Sequence, residues 1–289
     1  MWETVNAMSV RLAQTLAMRE LAGKGRGLVA LDRIAHGSTV LECTPMAHVL
    51  KSHGSAPTTC AECLAPMHSS VNASLSRDRT CTSACEAAYE ERGGTMLDRV
   101  DVSGLKLLQE EQGRNFPLLI ASLLSSLLAD LKAGQVPESW GPLELCFAEM
   151  HAEALPQIEA EHRTLLQSFT DAGLATLPTL ELLMPIARYR RLLGAAQLNA
   201  FELTLSHGAK VSALLPQPAS LFNHSCEPNV LISCGDTSSV SFVAEGSLAA
   251  GDELCISYID VDVDRKERQE LLLHKYGFEC TCPRCTRGA

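Results

Sequence analysis

Apolar positions follow two different patterns along this chain, and the first consists of short runs bounded by glycine. Leu16–Met18 and Leu28–Leu31 flank the glycine-rich turn Ala22–Gly27. Thr39–Leu41 follows a second turn at Ala35–Ser38. Short apolar runs between turn residues predict β-strands. Later runs of the same kind are Phe201–Leu205, Val230–Ser233, Val240–Val243 and Leu254–Tyr258.

The second pattern is helical and occupies the middle of the chain, from about Asp98 to Leu193. Leucines recur there three and four positions apart, and prolines interrupt them, which predicts four or five helices. Asp264–Lys275 is predicted to form one more amphipathic helix, with Leu271–Leu273 as its apolar part. Residues 51–80, rich in Ser, Thr, Ala and Pro, are predicted to be irregular. The order of the blocks predicts an α+β protein, in which a discontinuous β domain carries a helical insert.

Composition and charge narrow the classes of function. With 289 residues, 46% of them hydrophobic, the chain can bury the core of one large domain or two modest ones. The net charge of −10 argues against sequence-independent nucleic-acid binding, because phosphate contacts need clustered Lys and Arg. An acidic protein favours basic partners instead, and lysine-rich tails are among them.

Twelve cysteines would suit a secreted, disulfide-bonded protein, but the first 20 residues argue against secretion. Charged residues interrupt them, so they contain no apolar signal-peptide core. The longest apolar stretch, Phe116–Leu131, is too short to span a bilayer. We therefore expect a soluble protein of the cytoplasm and/or nucleus, without membrane contact. Clustered cysteines in a reducing compartment indicate metal binding.

Three cysteines lie within six residues near the end of the chain: Cys280, Cys282 and Cys285. A tetrahedral zinc needs a fourth ligand, which several cysteines could supply. We favour Cys226, because it lies in the polar cluster Asn223–Asn229. The alternative is three unligated thiols. The four residues together are called the C-terminal cysteine site.

A second set of cysteines combines two close pairs from one segment. Its members are Cys60, Cys63, Cys81 and Cys85, called the finger cysteine site. Four thiolates complete a structural zinc site, and the metal would supply folding free energy to a segment without an evident core. His53 and His68 are alternative ligands. The alternative without metal is a loop with two cysteines and a helix with two more.

The other cysteines lie in apolar contexts and are predicted to be buried: Cys43, Cys146, Cys234 and Cys255. A Cys-His hydrolase, in which His224 activates Cys226, is an alternative interpretation. We disfavour it because zinc would use the same thiolate.

The motifs resemble, in order, those of the SET-domain protein lysine methyltransferases, in particular the SET-and-MYND subfamily. Gly25–Leu28 resembles the first cofactor loop of that family, and Cys81–Cys85 resembles the second half of a MYND zinc site. The later matching segments are Leu198–Phe201, Leu221–Asn229, Gly251–Leu254 with Tyr258, and Tyr276–Cys285. The last of these resembles the post-SET zinc motif.

The resemblance implies a β-rich SET fold of the α+β class with a helical insert, a small zinc finger inserted after the first strands, and a zinc-bound post-SET segment. The implied boundaries are 14–50 for the SET N-terminal part, 51–95 for the MYND-like finger, 96–196 for the helical insert, 197–262 for the SET C-terminal catalytic part and 263–289 for the post-SET segment.

The activity implied by the resemblance is methyl transfer from S-adenosylmethionine to the ε-amine of a lysine in a histone or another protein. Tyr258 would be the catalytic residue. The implied cofactor-binding residues are Lys24, Gly25, Arg26, Gly27, Asn199, Asn223, His224, Tyr258 and Phe278. Tyr276 and Phe278 would form the walls of the lysine channel. Each of these roles has an alternative. Tyr258, Tyr276 and Phe278 could be ordinary core packing, and Gly25 and Gly27 could form an ordinary turn. His224 could be a general base.

Two departures from the family pattern change the expectation. The second set of MYND ligands is missing, so one zinc is expected in the finger and two structural zinc sites in the chain. A helical repeat domain after Cys285 is missing too, which implies a more open cleft or a protein partner in that place. Two rival hypotheses are a SET-like scaffold acting as a zinc-finger interaction module with weak or no catalysis, and a structural zinc protein without cofactor.

Overall fold

The computed structural model describes residues 11–12, 15–51, 59–67, 79–112, 116–135 and 155–287. His53, His68 and Cys146 lie outside the described residues. The chain divides into two compact units. The first unit comprises Met1–Thr44, Leu215–Cys234 and Ser239–Ala289, and the second comprises Pro45–Leu214 and Gly235–Ser238.

Strands and helices alternate as blocks along the chain. The strands are β1 (Arg11–Leu12), β2 (Leu16–Leu21), β3 (Gly25–Ala30), β4 (Thr39–Cys43), β5 (Ala47–Lys51), β6 (Ala200–Thr204), β7 (Lys210–Leu214), β8 (Asn223–His224), β9 (Val230–Cys234), β10 (Val240–Ala244) and β11 (Glu253–Ile256). The helices are α1 (Ser83–Glu91), α2 (Gly94–Leu97), α3 (Ser103–Gln112), α4 (Phe116–Lys132), α5 (Leu155–Asp171), α6 (Leu177–Leu183), α7 (Ile186–Asn199), α8 (Arg265–Tyr276) and α9 (Pro283–Thr286).

The first unit contains two four-stranded sheets, ordered β1-β4-β10-β9 and β2-β3-β11-β8. Neighbouring strands are antiparallel except in one pair, where β8 runs parallel to β11. This pair sets Asn223 opposite Cys255 and His224 opposite Ile256. A parallel pair cannot be closed by a tight turn. The pairing therefore places Asn223 and His224 beside β11, the strand that precedes Tyr258.

The second unit packs helices against the antiparallel sheet β5-β7-β6. Helix α4 is apolar on almost every face and is buried along most of its length, which is the behaviour expected of a helix inside a core. It packs against α2, α7 and β5. No helix within the described residues is long and apolar enough to cross a membrane.

Helix α8 of the first unit has defined ends. Asp264 caps its start by accepting a hydrogen bond from the backbone N–H of Glu267 at 2.9 Å. Gly277 ends it in the left-handed conformation, at φ 75°, which favours glycine. The chain therefore turns away directly after Tyr276 and leads into the C-terminal cysteine site.

The structure confirms the predicted α+β class, the early and late strands, the helical middle and the helix that follows Asp264. Three details of the prediction are wrong. Strands β1, β5, β7 and β8 were not predicted individually. Strand β11 ends at Ile256, so Tyr258 lies beyond it. Leu273 is 52% exposed, because the buried face of α8 consists of Arg268 and Leu272, one turn apart.

Candidate active site

The side chain of His224 connects the main chain of Tyr258 to the side chain of Cys226. Its Nδ1 accepts a hydrogen bond from the backbone N–H of Tyr258 at 3.0 Å, and its Nε2 lies 3.3 Å from Sγ of Cys226. A backbone N–H can only donate, so the neutral ring carries its proton on Nε2 and donates it towards the sulfur. Burial, together with the charges of Arg268 and Lys24, lowers the pKa of His224 to about 4. The ring is therefore neutral at pH 7.

The hydroxyl group of Tyr258 is fixed by a single acceptor. It donates a 2.6 Å hydrogen bond to the carbonyl oxygen of Phe222, the residue that precedes β8. Burial raises the pKa of Tyr258 above its usual value, and the nearby Tyr276 acts in the same direction. The phenol thus stays protonated at neutral pH and offers a positioned oxygen rather than a base.

Three aromatic side chains surround the ring of Tyr258, namely those of His224, Tyr276 and Phe278. The ring centroids of Tyr258 and Tyr276 lie 4.9 Å apart, and those of Tyr258 and Phe278 lie 6.5 Å apart in an edge-on arrangement. Tyr276 also donates a hydrogen bond to the carbonyl oxygen of Tyr258 at 3.3 Å. The ring of His224 lies 6.1 Å from that of Phe278. These residues therefore form one partly buried aromatic cluster.

The glycine loop lies beside Asn223 in the same unit. A Cβ atom built on Gly27 would lie 2.5 Å from Cδ1 of Leu21 and 2.6 Å from Nδ2 of Asn223, so a larger residue there would have to displace these side chains. The Asn223 amide donates to the carbonyl oxygen of Arg26 at 3.3 Å. Gly25, at φ 71°, begins β3 in a conformation that favours glycine.

Glu253 belongs to this cluster and was missed by the sequence analysis. Its Oε1 accepts from Nδ2 of Asn223 at 2.9 Å, and its Oε2 forms an ion pair with Lys24. Burial lowers the pKa of Lys24, but the hydrogen bond and charge of Glu253 outweigh burial and raise it. Glu253 lies in the matching segment Gly251–Leu254, but the sequence assigned it no role.

Of the nine residues that the resemblance implies as cofactor-binding, Asn199 alone lies in the second unit. It ends α7 in the second unit, where its side-chain amide donates to the carbonyl oxygen of Ala195 at 2.8 Å. The other eight implied cofactor residues all belong to the first unit.

The C-terminal cysteine site is a compact cluster of four buried thiols. All of its sulfur atoms lie within 4.8 Å of one another. The sulfur of Cys226 lies 3.9 Å from that of Cys280 and 3.6 Å from that of Cys285. Four sulfurs on a tetrahedral zinc, each at about 2.3 Å, are about 3.8 Å apart. The donor set and the spacing therefore fit zinc.

The hydrogen bonds around this site stabilise negatively charged sulfur. Arg268 is only 1% exposed; burial acts to lower the pKa of its guanidinium, but hydrogen bonds to the sulfurs of Cys285 and Cys226 raise it. The same guanidinium donates to the carbonyl oxygen of Val263 at 2.7 Å. Burial acts to raise the pKa of Cys282, yet backbone N–H groups of Cys285 and Cys226 lower it to about 6. At Cys282 this environment favours the thiolate, the form that binds zinc, whereas burial raises the pKa of Cys226 and of Cys280.

Two further arginines join the loop of Cys226 to the end of the chain. Arg284 donates to the carbonyl oxygen of Cys226 at 3.1 Å, and Arg287 forms a 2.7 Å ion pair with Glu227. Tyr258, Tyr276 and Phe278 pack against the buried cysteines. The cysteine site and the aromatic cluster are therefore parts of one packed structure.

This geometry argues against the hydrolase alternative. A Cys-His pair needs a histidine nitrogen that can accept the thiol proton. Nδ1 of His224 is engaged by the amide of Tyr258, and Nε2 carries the proton that points to Cys226. The same two contacts argue against His224 as a general base.

The finger cysteine site lies in the second unit and also has the spacing of a zinc site. Its four sulfurs lie within 4.8 Å of one another, with 3.5 Å between Cys63 and Cys81 and 3.6 Å between Cys81 and Cys85. Thr82 caps α1 by accepting from the backbone N–H of Cys85 at 3.1 Å, which fixes the last ligand on the first turn of the helix.

The remaining described cysteines are mostly inert. Cys43 and Cys255 are buried, and burial raises the pKa of each thiol to about 12. Cys234 is only half-buried, which corrects the prediction for that residue. It ends β9, which is an edge strand of its sheet among the described residues.

Comparison with known proteins adds an independent line of support. A family model for the SET domain matches residues 25–259. N-lysine methyltransferase SMYD2 of Mus musculus is 30% identical over 271 residues, which cover 92% of this chain and 59% of that protein. Histone-lysine N-methyltransferase SMYD3 of Mus musculus is 24% identical over 284 residues, with 91% and 60% covered.

A shorter match involves SET domain and MYND-type zinc finger protein 6 of Schizosaccharomyces pombe, which is 35% identical over 97 residues, 34% of this chain and 20% of that protein. The chain therefore spans three-fifths or less of the length of these curated relatives. The solved structure of the SET domain of LSMT bound to lysine and AdoHcy covers 94% of this chain and 54% of that chain, at 15% identity and a TM-score of 0.38.

These findings confirm the predicted resemblance, the α+β SET fold and the two cysteine clusters that can bind zinc. The segment boundaries and the roles of individual site residues stay predictions.

Proposed function

Because the chain belongs to the SET-domain family, we propose that it is a protein-lysine N-methyltransferase that uses S-adenosylmethionine. One observation carries the proposal. The parallel pairing of β8 with β11 gathers Asn223, His224 and Tyr258, and the aromatic side chains of Tyr276 and Phe278 adjoin them. In this proposal the polar residues bind the amino-acid part of the cofactor, and the aromatic side chains line a channel for the lysine.

The glycine loop fits the amino-acid end of the cofactor. Gly27 lets the side chain of Asn223 pack closely against the loop, which a Cβ atom would disturb. Lys24 offers a cation for a carboxylate, and Asn223 offers an amide. When bound, S-adenosylmethionine supplies an electrophilic methyl group on a positively charged sulfur.

The aromatic cluster prepares the substrate amine. A free lysine has a pKa of about 10.4 and is protonated at neutral pH. Walls formed by Tyr276 and Phe278 disfavour its charged form and so lower its pKa, which releases a proton to water. The nitrogen lone pair then forms the new bond to the methyl carbon as the carbon–sulfur bond breaks. Aromatic faces also attract a methylated ammonium, by about 0.5–2 kcal/mol.

Tyr258 acts by positioning in this proposal. Its hydroxyl is held by the carbonyl of Phe222 and stays protonated, so its oxygen can accept a hydrogen bond from the amine. Alignment of amine, methyl and sulfur is worth several kcal/mol of barrier. The substrate is a protein that presents a lysine, in a histone or another protein, and the net charge of −10 favours a basic one.

We also propose that both cysteine sites hold structural zinc. The C-terminal cysteine site ties the Asn223–Cys226 loop to the segment that follows Tyr276. Zinc there would stabilise the two sides of the pocket together.

The test is methyl transfer from labelled cofactor to a lysine peptide library and to cell extract. Tyr258→Phe keeps the ring and removes the hydroxyl, and we expect it to lower kcat at least 10-fold with little change in cofactor affinity. Tyr89→Phe, which removes a hydroxyl in the other unit, is the matched control and should keep activity. Failure of the wild type to bind cofactor by calorimetry would overturn the proposal. Binding without transfer would favour the interaction-module alternative.

A further inference from the structure

The imidazole of His224 uses both of its nitrogens, and each faces a different functional element. Nδ1 accepts from the main chain of Tyr258, and Nε2 donates to the sulfur of Cys226. The side chain is 5% exposed, so water cannot readily replace either partner. The ring also packs 5.4 Å from the ring of Tyr258. His224 thus lies between a zinc ligand and the residue proposed to act in methyl transfer.

The two hydrogen bonds of His224 have different effects. The bond to Cys226 stabilises negative charge on a sulfur, which the zinc-bound form of a cysteine carries. The bond from Tyr258 fixes the main chain two residues past the end of β11. Because one rigid ring makes both contacts, a shift of the thiolate moves the ring and hence the amide of Tyr258.

We propose that His224 is a positioning residue that couples the C-terminal cysteine site to the placement of Tyr258. Zinc at the cysteine site fixes Cys226, Cys226 fixes the imidazole, and the imidazole fixes the tyrosine main chain. The catalytic half of this inference rests on the proposed methyl transfer, whereas the zinc half does not.

Two amide substitutions separate the hydrogen bond to Tyr258 from the hydrogen bond to Cys226. An Asn side chain places its amide near the position of Nδ1, and a Gln side chain reaches the position of Nε2. His224→Asn retains an acceptor for the Tyr258 amide and loses the donor to Cys226. His224→Gln retains the donor and loses the acceptor. The two variants therefore break one bond each.

The first readout is zinc release to a chromophoric chelator, which needs no methyl transfer. Removal of an outer partner of a metal ligand typically costs about 10–100-fold in metal affinity or activity. We expect His224→Asn to release zinc from the C-terminal cysteine site at least about 10-fold faster than the wild type. His224→Gln should stay near the wild-type rate. The finger cysteine site, in the second unit, serves as the internal reference and should be unaffected.

The second readout is the environment of Tyr258. The chain has four tyrosines, so fluorotyrosine labelling gives four ¹⁹F resonances, and Tyr258→Phe assigns one of them. In the zinc-loaded proteins, we expect His224→Gln to move this resonance further than His224→Asn. The kcat for methyl transfer should fall more in His224→Gln, while the KM for the lysine peptide changes less than kcat.

Equal zinc-release rates in the wild type and His224→Asn would overturn the coupling. It would also be overturned if the Tyr258 resonance moved more in zinc-loaded His224→Asn than in His224→Gln. If either variant does not fold, the other still tests its own bond. A wild-type protein without transferase activity would sink the proposed function, yet the zinc and ¹⁹F readouts would still decide the coupling.

Discussion

The side-chain amide of Asn223 donates to the carboxylate of Glu253 at 2.9 Å. The second carboxylate oxygen pairs with Lys24, so one acidic side chain connects the glycine loop, β8 and β11. The three residues come from distant parts of the chain. Strand pairing of β11 with β3 on one side and β8 on the other brings them together.

Glu253→Gln keeps the size of this side chain and removes its charge. A hydrogen bond to a charged group contributes about 1.5–3 kcal/mol, so Asn223 should lose part of its fixed orientation. We expect about 10-fold weaker binding of S-adenosylhomocysteine, which corresponds to about 1.4 kcal/mol, by calorimetry. The free energy of unfolding should change little, because the ion pair between Lys24 and Glu253 is partly exposed. Glu245→Gln, on an exposed residue, is the control, and equal affinities for both variants would contradict the prediction.

Gly27→Ala should disturb the same cluster by steric overlap. The new methyl group would lie 2.6 Å from Nδ2 of Asn223 and 2.5 Å from Cδ1 of Leu21. Overpacking of this kind costs about 1–3 kcal/mol, and the displaced amide should weaken cofactor binding further. Gly246→Ala is the matched change, since a Cβ there meets nothing within 4 Å. Thermal unfolding and calorimetry of both variants measure the effect; wild-type affinity in Gly27→Ala would show that the loop has room to adjust.

The sequence predicted the two cysteine sites because their ligands occur in close, chemically distinctive spacings. It did not identify Glu253, whose role depends on which strands lie beside β11. Nor did it identify Arg268, because an arginine on an amphipathic helix is ordinarily exposed. Its burial results from the cysteines that it contacts, and that contact joins segments 42 residues apart for Cys226. Local chemistry was therefore predictable, and long-range pairing was not.

Arg268→Leu should weaken the C-terminal cysteine site. The guanidinium donates to two of its sulfurs, and loss of one partner of a buried charged pair costs about 3–5 kcal/mol. We expect a lower melting temperature of the zinc-loaded protein and faster zinc release to a chelator. Arg265→Leu makes the same change at an exposed position of α8 and should leave both unchanged. A similar effect of the two variants would show that the buried contact contributes little.

Cys282→Ser tests whether zinc holds the two sides of the pocket together. Because Tyr276 and Phe278 pack against the cysteines, loss of one ligand should reduce zinc content by one ion and abolish cofactor binding as well. Cys234→Ser, outside both sites, should keep zinc content and binding. Metal analysis and calorimetry are made on the same samples. Full cofactor affinity in a Cys282→Ser protein that has lost one zinc would exclude the coupling.

His48 should make the stability of the second unit depend on pH. Burial lowers its pKa, with a further contribution from the charge of Arg92, while the hydrogen bond to the carbonyl oxygen of Ala61 and the charge of Glu62 oppose the shift. The unfolded chain binds the proton near pH 6.5 and the folded chain only at lower pH, so stability is present above pH 6.5 and is lost as pH falls below it.

His48→Gln keeps a donor for the carbonyl of Ala61 and does not titrate. Between pH 7.5 and pH 5, the free energy of unfolding of the wild type should therefore fall more steeply than that of the variant, by at most about 1.4 kcal/mol per pH unit. Protonation of the zinc ligands affects both proteins equally. The difference between their slopes of unfolding free energy against pH therefore gives the contribution of His48. Denaturant unfolding across this range measures both slopes, and parallel slopes would mean that His48 has the same pKa in the folded and unfolded chains.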